Sequence, residues 1–103
     1  MALVTAPDVA TGRKLAKVAL AKHLIACANL VRGVESHYWW RGKVESASET
    51  LILMKTTRGK LAALERLILR HHPYDTPELV VLSLHSGTAR YLAWLRQSVR
   101  TGA

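Results

Sequence analysis

Ile25-Ala-Cys-Ala-Asn-Leu-Val31, Arg32-Gly33, Val34-Glu-Ser-His-Tyr-Trp-Trp40, Arg41-Gly42 and Lys43-Val-Glu-Ser-Ala-Ser-Glu-Thr-Leu-Ile-Leu-Met-Lys-Thr56 follow one another without a break. Ile25–Val31 is a continuous apolar run of strand length, the pattern of a strand buried on both faces. It resumes after Gly33 as Val34–Trp40, so Arg32-Gly33 is either a bulge in one long strand or a break between two. Arg41-Gly42 is a tight turn, and Lys43–Thr56 is the returning arm. The whole stretch reads as one hairpin about Arg41-Gly42. Its arms exceed the usual strand of about 5–6 residues, and a long apolar edge left bare is an aggregation site. The hairpin therefore calls for a partner, most simply another copy of the chain.

Outward from the hairpin, prolines punctuate the chain. Leu3–Ala6 is a short strand closed by Pro7, and Asp8 is a suitable N-cap for a helix over Val9–His23. Leu15, Val18 and Ala19 give that helix one apolar stripe. Gly12 interrupts it at a cost of about 1 kcal/mol relative to alanine. Arg58–Arg70 is a second helix, with Leu61, Leu64 and Ile68 on one face, ended by Pro73. Pro77 opens a strand over Glu78–Leu84. Thr88 caps a last helix whose apolar face is Tyr91, Trp94 and Leu95. The order β-α-β-β-α-β-α predicts an α+β, ferredoxin-like domain spanning residues 1–103. Its four-stranded antiparallel sheet carries both crossover helices on one face.

Composition narrows the class. Half of the 103 residues are apolar and 21% are charged, as in a globular domain. Fifteen Lys and Arg against seven Asp and Glu give a net charge of +8, which favours solubility or an anionic partner. The lone Cys27 excludes an internal disulfide, and the N-terminus lacks the basic-then-apolar pattern of a signal peptide. No apolar run is long enough for a membrane span. The expected location is the cytoplasm.

Three constellations could carry chemistry. His71-His72-Pro73-Tyr74-Asp75-Thr76-Pro77-Glu78 places two imidazoles, a phenol and two carboxylates within eight residues. Imidazole nitrogen suits Cu(II), Ni(II) and Zn(II), but adjacent histidines diverge, so one chain poorly chelates one ion with both. Cationic imidazoles at a helix C-terminus are the ordinary alternative. In His37-Tyr38-Trp39-Trp40-Arg41-Gly42-Lys43, successive strand residues face opposite sides. One indole is expected to pack inward and the other at an interface, in preference to a nucleic-acid stacking platform. Cys27 and Asn29 share a strand face. Cys27 is expected to be a buried, inert thiol, since no base or electropositive surround is visible. Glu49 and Lys55 read as ordinary charged strand positions, Lys55 also as an anion-binding candidate.

Taken with Val4-Thr5-Ala6-Pro7-Asp8, Ala26-Cys27-Ala28-Asn29-Leu30, Leu53-Met54-Lys55-Thr56 and Tyr91-Leu92-Ala93-Trp94-Leu95, these motifs occur in an order that resembles the CutA divalent-cation tolerance family. The resemblance runs from about Val4 to Ser98. It implies a compact homotrimer similar in architecture to the P-II signalling proteins, with no established catalytic activity. It also implies Cu(II) binding, with other divalent cations admitted, and makes His71 and His72 the metal ligands. A cysteine that some members place just ahead of Thr-Ala-Pro is Val4 here, which removes a thiolate and leaves a nitrogen site. The alternative is a P-II-like sensor holding a small anionic ligand between subunits, at a cleft including Lys55, Tyr74, Glu78 and Trp40. RNA binding by an RRM-like sheet is not expected: the third strand, Val44–Met54, lacks the aromatic residues it needs. An enzyme using His71 or His72 as general base lacks a visible nucleophile.

Overall fold

The computed structural model describes residues 1–100. Its elements are β1 (Ala2–Ala6), α1 (Val9–Ala21), β2 (Cys27–Trp40), β3 (Lys43–Lys55), a 3-10 turn (Arg58–Lys60), α2 (Leu61–His71), β4 (Leu79–Val81) and α3 (Ala89–Ser98). The sheet order is β2-β3-β1-β4, with every neighbouring pair antiparallel. This is the expected ferredoxin-like arrangement.

The hairpin runs in register from Cys27 opposite Lys55 to Trp40 opposite Lys43. Arg41 and Gly42 both have positive φ (50° and 78°), the requirement of a two-residue turn matching strand twist. Between Val31 and Val34, β2 advances three residues while β3 advances two, from Leu51 to Glu49. Arg32-Gly33 is thus a bulge in one strand, with Gly33 at φ 69°.

The core lies between the helices and one sheet face. Ala2, Val4, Ala6, Ile52 and Met54 from the sheet meet Leu15 and Ala19 of α1 and Leu64, Leu67 and Ile68 of α2. Burying each large aliphatic side chain contributes about 1.5–3 kcal/mol. Asp8 caps α1, accepting from the Thr11 amide at 2.7 Å. Gly12 is the point of closest approach: a Cβ there would sit 3.2 Å from Leu30 Cδ2, so the helix cost of glycine is offset by contact with the sheet. The helix stops at Ala21, short of His23, in a Schellman motif. The Leu24 amide donates to Ala19 and that of His23 to Leu20. His23 takes the left-handed position (φ 55°), and its Nδ1–H donates to the Ser98 carbonyl at 3.0 Å. The side chain thereby ties the end of α3 to the end of α1, which glycine could not do.

Five expectations change. Ile25–Val31 is not a strand buried on both faces: the strand begins at Cys27, lies at the sheet edge, and none of its residues is fully buried. β4 covers Leu79–Val81, not Glu78–Leu84, because its partner β1 begins at Ala2, opposite Val81. Beyond it only Met1 continues the ladder, its amino group donating to the Leu82 carbonyl and its carbonyl accepting from the Leu82 amide. α3 buries Leu95, with Val99 beyond it, against Ala26, while Tyr91 and Trp94 stay exposed and stack on each other at 5.5 Å. No indole of the hairpin packs inward: Trp39 is 74% and Trp40 39% exposed in the chain. The buried part of the hairpin is the half from Glu49 to Thr56, and the tip extends beyond the helical layer. Cys27 is half-buried rather than enclosed, because α3 sets a phenol beside it, Tyr91 Oη at 3.5 Å.

Candidate functional site

The site grows from the turn that ends α2. Pro73 disfavours helical backbone in the residue before it, and His72 is extended (φ −77°, ψ 135°). Its imidazole is buried, 7% exposed. Nε2 lies 2.7 Å from the Thr5 carbonyl, and Nδ1 lies 3.1 Å from the Tyr74 amide nitrogen. A carbonyl only accepts and an amide N–H only donates. The partners therefore fix the neutral tautomer with its proton on Nε2. Both ring nitrogens are consumed inside the chain.

Tyr74 extends the relay. Its ring centroid lies 4.7 Å from that of His72, and its hydroxyl donates to Glu49 Oε2 at 2.7 Å. Burial, then the hydrogen bond to and charge of Glu49, push this phenol well above the usual tyrosine range. Glu49 is only 8% exposed. Thr5 of β1, His72 and Tyr74 of the turn, and Glu49 of β3 thus form one polar connection along the sheet.

A groove of about 600 Å³ opens beside it. The Ser36–Trp40 arm of β2 lines one side, and Tyr74, Asp75, Thr76 and Glu78 line the other, with Thr5 and Glu49 also contributing. Its charge is opposite to that of the chain. Glu49, Asp75 and Glu78 face it, and among the described residues no Lys or Arg lines it. His37, on the rim, is held by Glu35 at 2.7 Å.

Of the residues singled out in the sequence, Trp40, Tyr74 and Glu78 come together here. The chain does not bring Lys55 to them. Lys55 is six residues beyond Glu49, about 20 Å along the strand, and its ammonium donates to Asn29 Oδ1. His71, the last residue of α2, is half-buried, and its ring has no hydrogen-bond partner among the described residues. No group of three or more His, Cys, Asp or Glu suited to a metal forms among those residues. Val4 is fully buried in the apolar core. Glu49 was missed as a site residue: it is no ordinary strand charge. Its signal was its place as the last acidic residue before the apolar run Leu51–Met54.

The sequence matches the CutA1 divalent ion tolerance protein family over residues 1–98. The chain belongs to the CutA1 family. The "Divalent-cation tolerance protein CutA" of Escherichia coli O139:H28 is 47% identical over 98 residues, covering 95% of this chain and 88% of that protein. The rice "Protein CutA 1, chloroplastic" is 41% identical over 94% of this chain, and the chain spans 55% of its length. Among solved structures, the divalent cation tolerance protein (Cut A1) of Thermus thermophilus superposes with a TM-score of 0.92 at 38% identity, covering 94% of both chains. The chain therefore has the fold of a CutA1 protein.

Proposed function

We propose that this protein is a non-enzymatic, homotrimeric, divalent-cation-binding member of the CutA1 family, that it prefers Cu(II), and that it works in the cytoplasm. The observation that carries the metal reading is the division between the two histidines. His72 spends both ring nitrogens within the chain, whereas His71 beside it keeps its imidazole free of hydrogen bonds among the described residues. His71 is the metal-binding group and His72 the bracket that holds the turn. A neutral imidazole not shaped against copper binds Cu(II) above Zn(II) by the Irving–Williams order. One imidazole is a weak site, so the remaining ligands come from water or another copy of the chain. The relatives' names, which speak of divalent cations, point the same way.

Self-association is supported by what the single chain leaves uncovered. Trp39, Val44, Val80, Val81 and Leu82 are all exposed, on the hairpin tip and along β4. Apolar surface of this kind on an edge and an unbacked hairpin marks an interface. The cytoplasmic reading rests on the lone cysteine, which fits a reducing compartment. Calorimetric titration with Cu(II) and Zn(II), run beside sedimentation equilibrium, tests the whole reading. Saturable binding with Cu(II) the tighter, on a trimer, is expected. A monomer at micromolar concentration, or no heat with either ion, overturns it.

A further inference from the structure

We propose that the outer face of α1 and α2 is a docking surface for double-stranded DNA, held through its phosphate backbone without sequence preference. The first observation is where the charge lies. Arg13, Lys14 and Lys17 fall on the solvent stripe of α1, and Lys22 caps its end. Arg58 and Lys60 lead into α2, and Arg66 and Arg70 lie on its exposed side. Against them the two helices carry one carboxylate, Glu65, which has no cation three or four residues away in either direction. Glu35, Glu45, Glu49, Asp75 and Glu78 lie instead on the hairpin and the turn after α2. The only ion pair among the described residues joins Glu35 to His37, so no Lys or Arg of the helical face has a carboxylate partner among them.

The second observation is that helix stability does not call for this array. Cations favour a helix C-terminus, which accounts for Arg70. Arg58 and Lys60 sit at the opposite end of α2, against the macrodipole, and no acidic residue stands in its first turn. Arg13 with Lys17, and Arg66 with Arg70, are like-charge neighbours at i, i+4, which weakens a helix. Nothing inside the chain offsets these terms, so the use of the array lies outside it, in a polyanion. The residue types choose which one. Neither helix carries Tyr, Trp or Phe, on which the bases of a single strand would stack. Their exposed positions include no Ser, Thr, Asn or Gln to contact a ribose 2′-hydroxyl. Leu20 and Leu69 are the large apolar side chains exposed there, one per helix, short of the apolar face that enters a lipid interface. Charge alone remains, which suits the backbone of duplex DNA. The hairpin tip and β4, assigned above to contacts between copies, contribute nothing to this surface. Two such faces repel each other, so they do not meet in the assembly.

The test uses the full chain in its native assembly and a fluorescein-labelled DNA duplex of about 20 base pairs and arbitrary sequence, read by anisotropy. Saturable binding is expected at about 50 mM salt, weakening about 10²-fold by about 200 mM, as when four or five phosphates are neutralised. Lys14→Gln/Lys17→Gln and Arg66→Gln/Arg70→Gln alter exposed side chains outside the ion pair, so the fold survives. Each should weaken binding about tenfold at low salt and flatten the salt slope by about 2. Arg32→Gln/Lys43→Gln removes the same charge from the hairpin and should stay within about threefold of wild type. The proposal is overturned if the assembled protein gives no saturable signal, if the hairpin variant weakens binding as much as the helix variants do, or if the helix variants dissociate the assembly. It is also overturned if single-stranded DNA, duplex RNA or phosphatidylserine vesicles bind more tightly than duplex DNA.

Discussion

Removing one oxygen atom tests the relay beneath the groove. Tyr74→Phe keeps the ring that packs 4.7 Å from His72 and deletes the hydroxyl that donates to Glu49 at 2.7 Å. A hydrogen bond to a charged group contributes about 1.5–3 kcal/mol, and deleting one partner leaves the other to bear its desolvation. Glu49 is 8% exposed and Oε2 has no other donor among the described residues, so the loss should fall in that range. Part of it is recovered if water enters from the groove, which sets the lower end. Urea unfolding of wild type, Tyr74→Phe, Glu49→Ala and the double variant forms a thermodynamic cycle. Coupling of about 1 kcal/mol or more between the two positions is expected. A Tyr74→Phe loss below about 0.5 kcal/mol, with no coupling, would refute the claim that this contact ties the turn to β3.

Other expectations follow from single residues. The Tyr74 phenol is raised by burial first and Glu49 second, so the folded state holds its proton more tightly than the unfolded chain does. Stability should therefore decline as pH climbs past about 10, the ordinary phenol value, and Tyr74→Phe should flatten that decline, as read by urea midpoints against pH. Gly42→Ala places a side chain at φ 78° in the hairpin turn and should cost about 1–2 kcal/mol, measured by thermal unfolding. Trp39→Ala removes a 74% exposed side chain, so subunit secondary structure by circular dichroism should be unchanged while the assembly weakens in sedimentation equilibrium. An intact assembly with wild-type melting would contradict the interface assigned to the hairpin tip.

The parts of the fold set by local pattern were legible. The apolar run Leu51–Met54, the Arg41-Gly42 turn and the Asp8 cap each act through their own neighbours, and they place β3, the hairpin and the start of α1 where the sequence put them. Depth of burial was less legible, because it depends on what lies opposite. Tyr91 and Trp94 have helical spacing, but the apolar contact of α3 is Leu95 and Val99 against Ala26, which leaves both rings exposed. The site was half legible. Tyr74, Glu78 and Trp40 were singled out from composition and the family resemblance, and the chain does gather them. Glu49 and the Thr5 carbonyl were not, because the pairing of β3 with β1 and the reach of the Tyr74 hydroxyl are long-range facts. The sequence already held that His71 and His72 diverge, while the resemblance named both as ligands. Which of them stays free was not legible, because it depends on the extended backbone before Pro73, which sends His72 to the distant Thr5 carbonyl and leaves His71 outside that relay.

That separation is the centre of the account, and copper titration of His71→Ala tests it most directly. His71 makes no side-chain hydrogen bond among the described residues, so the variant should fold, assemble and melt as wild type does. Calorimetry should then show Cu(II) affinity lost or reduced by at least about tenfold, as expected when a nitrogen ligand is removed. Wild-type Cu(II) affinity in His71→Ala would contradict the account and turn the search to His37, His23 and His85.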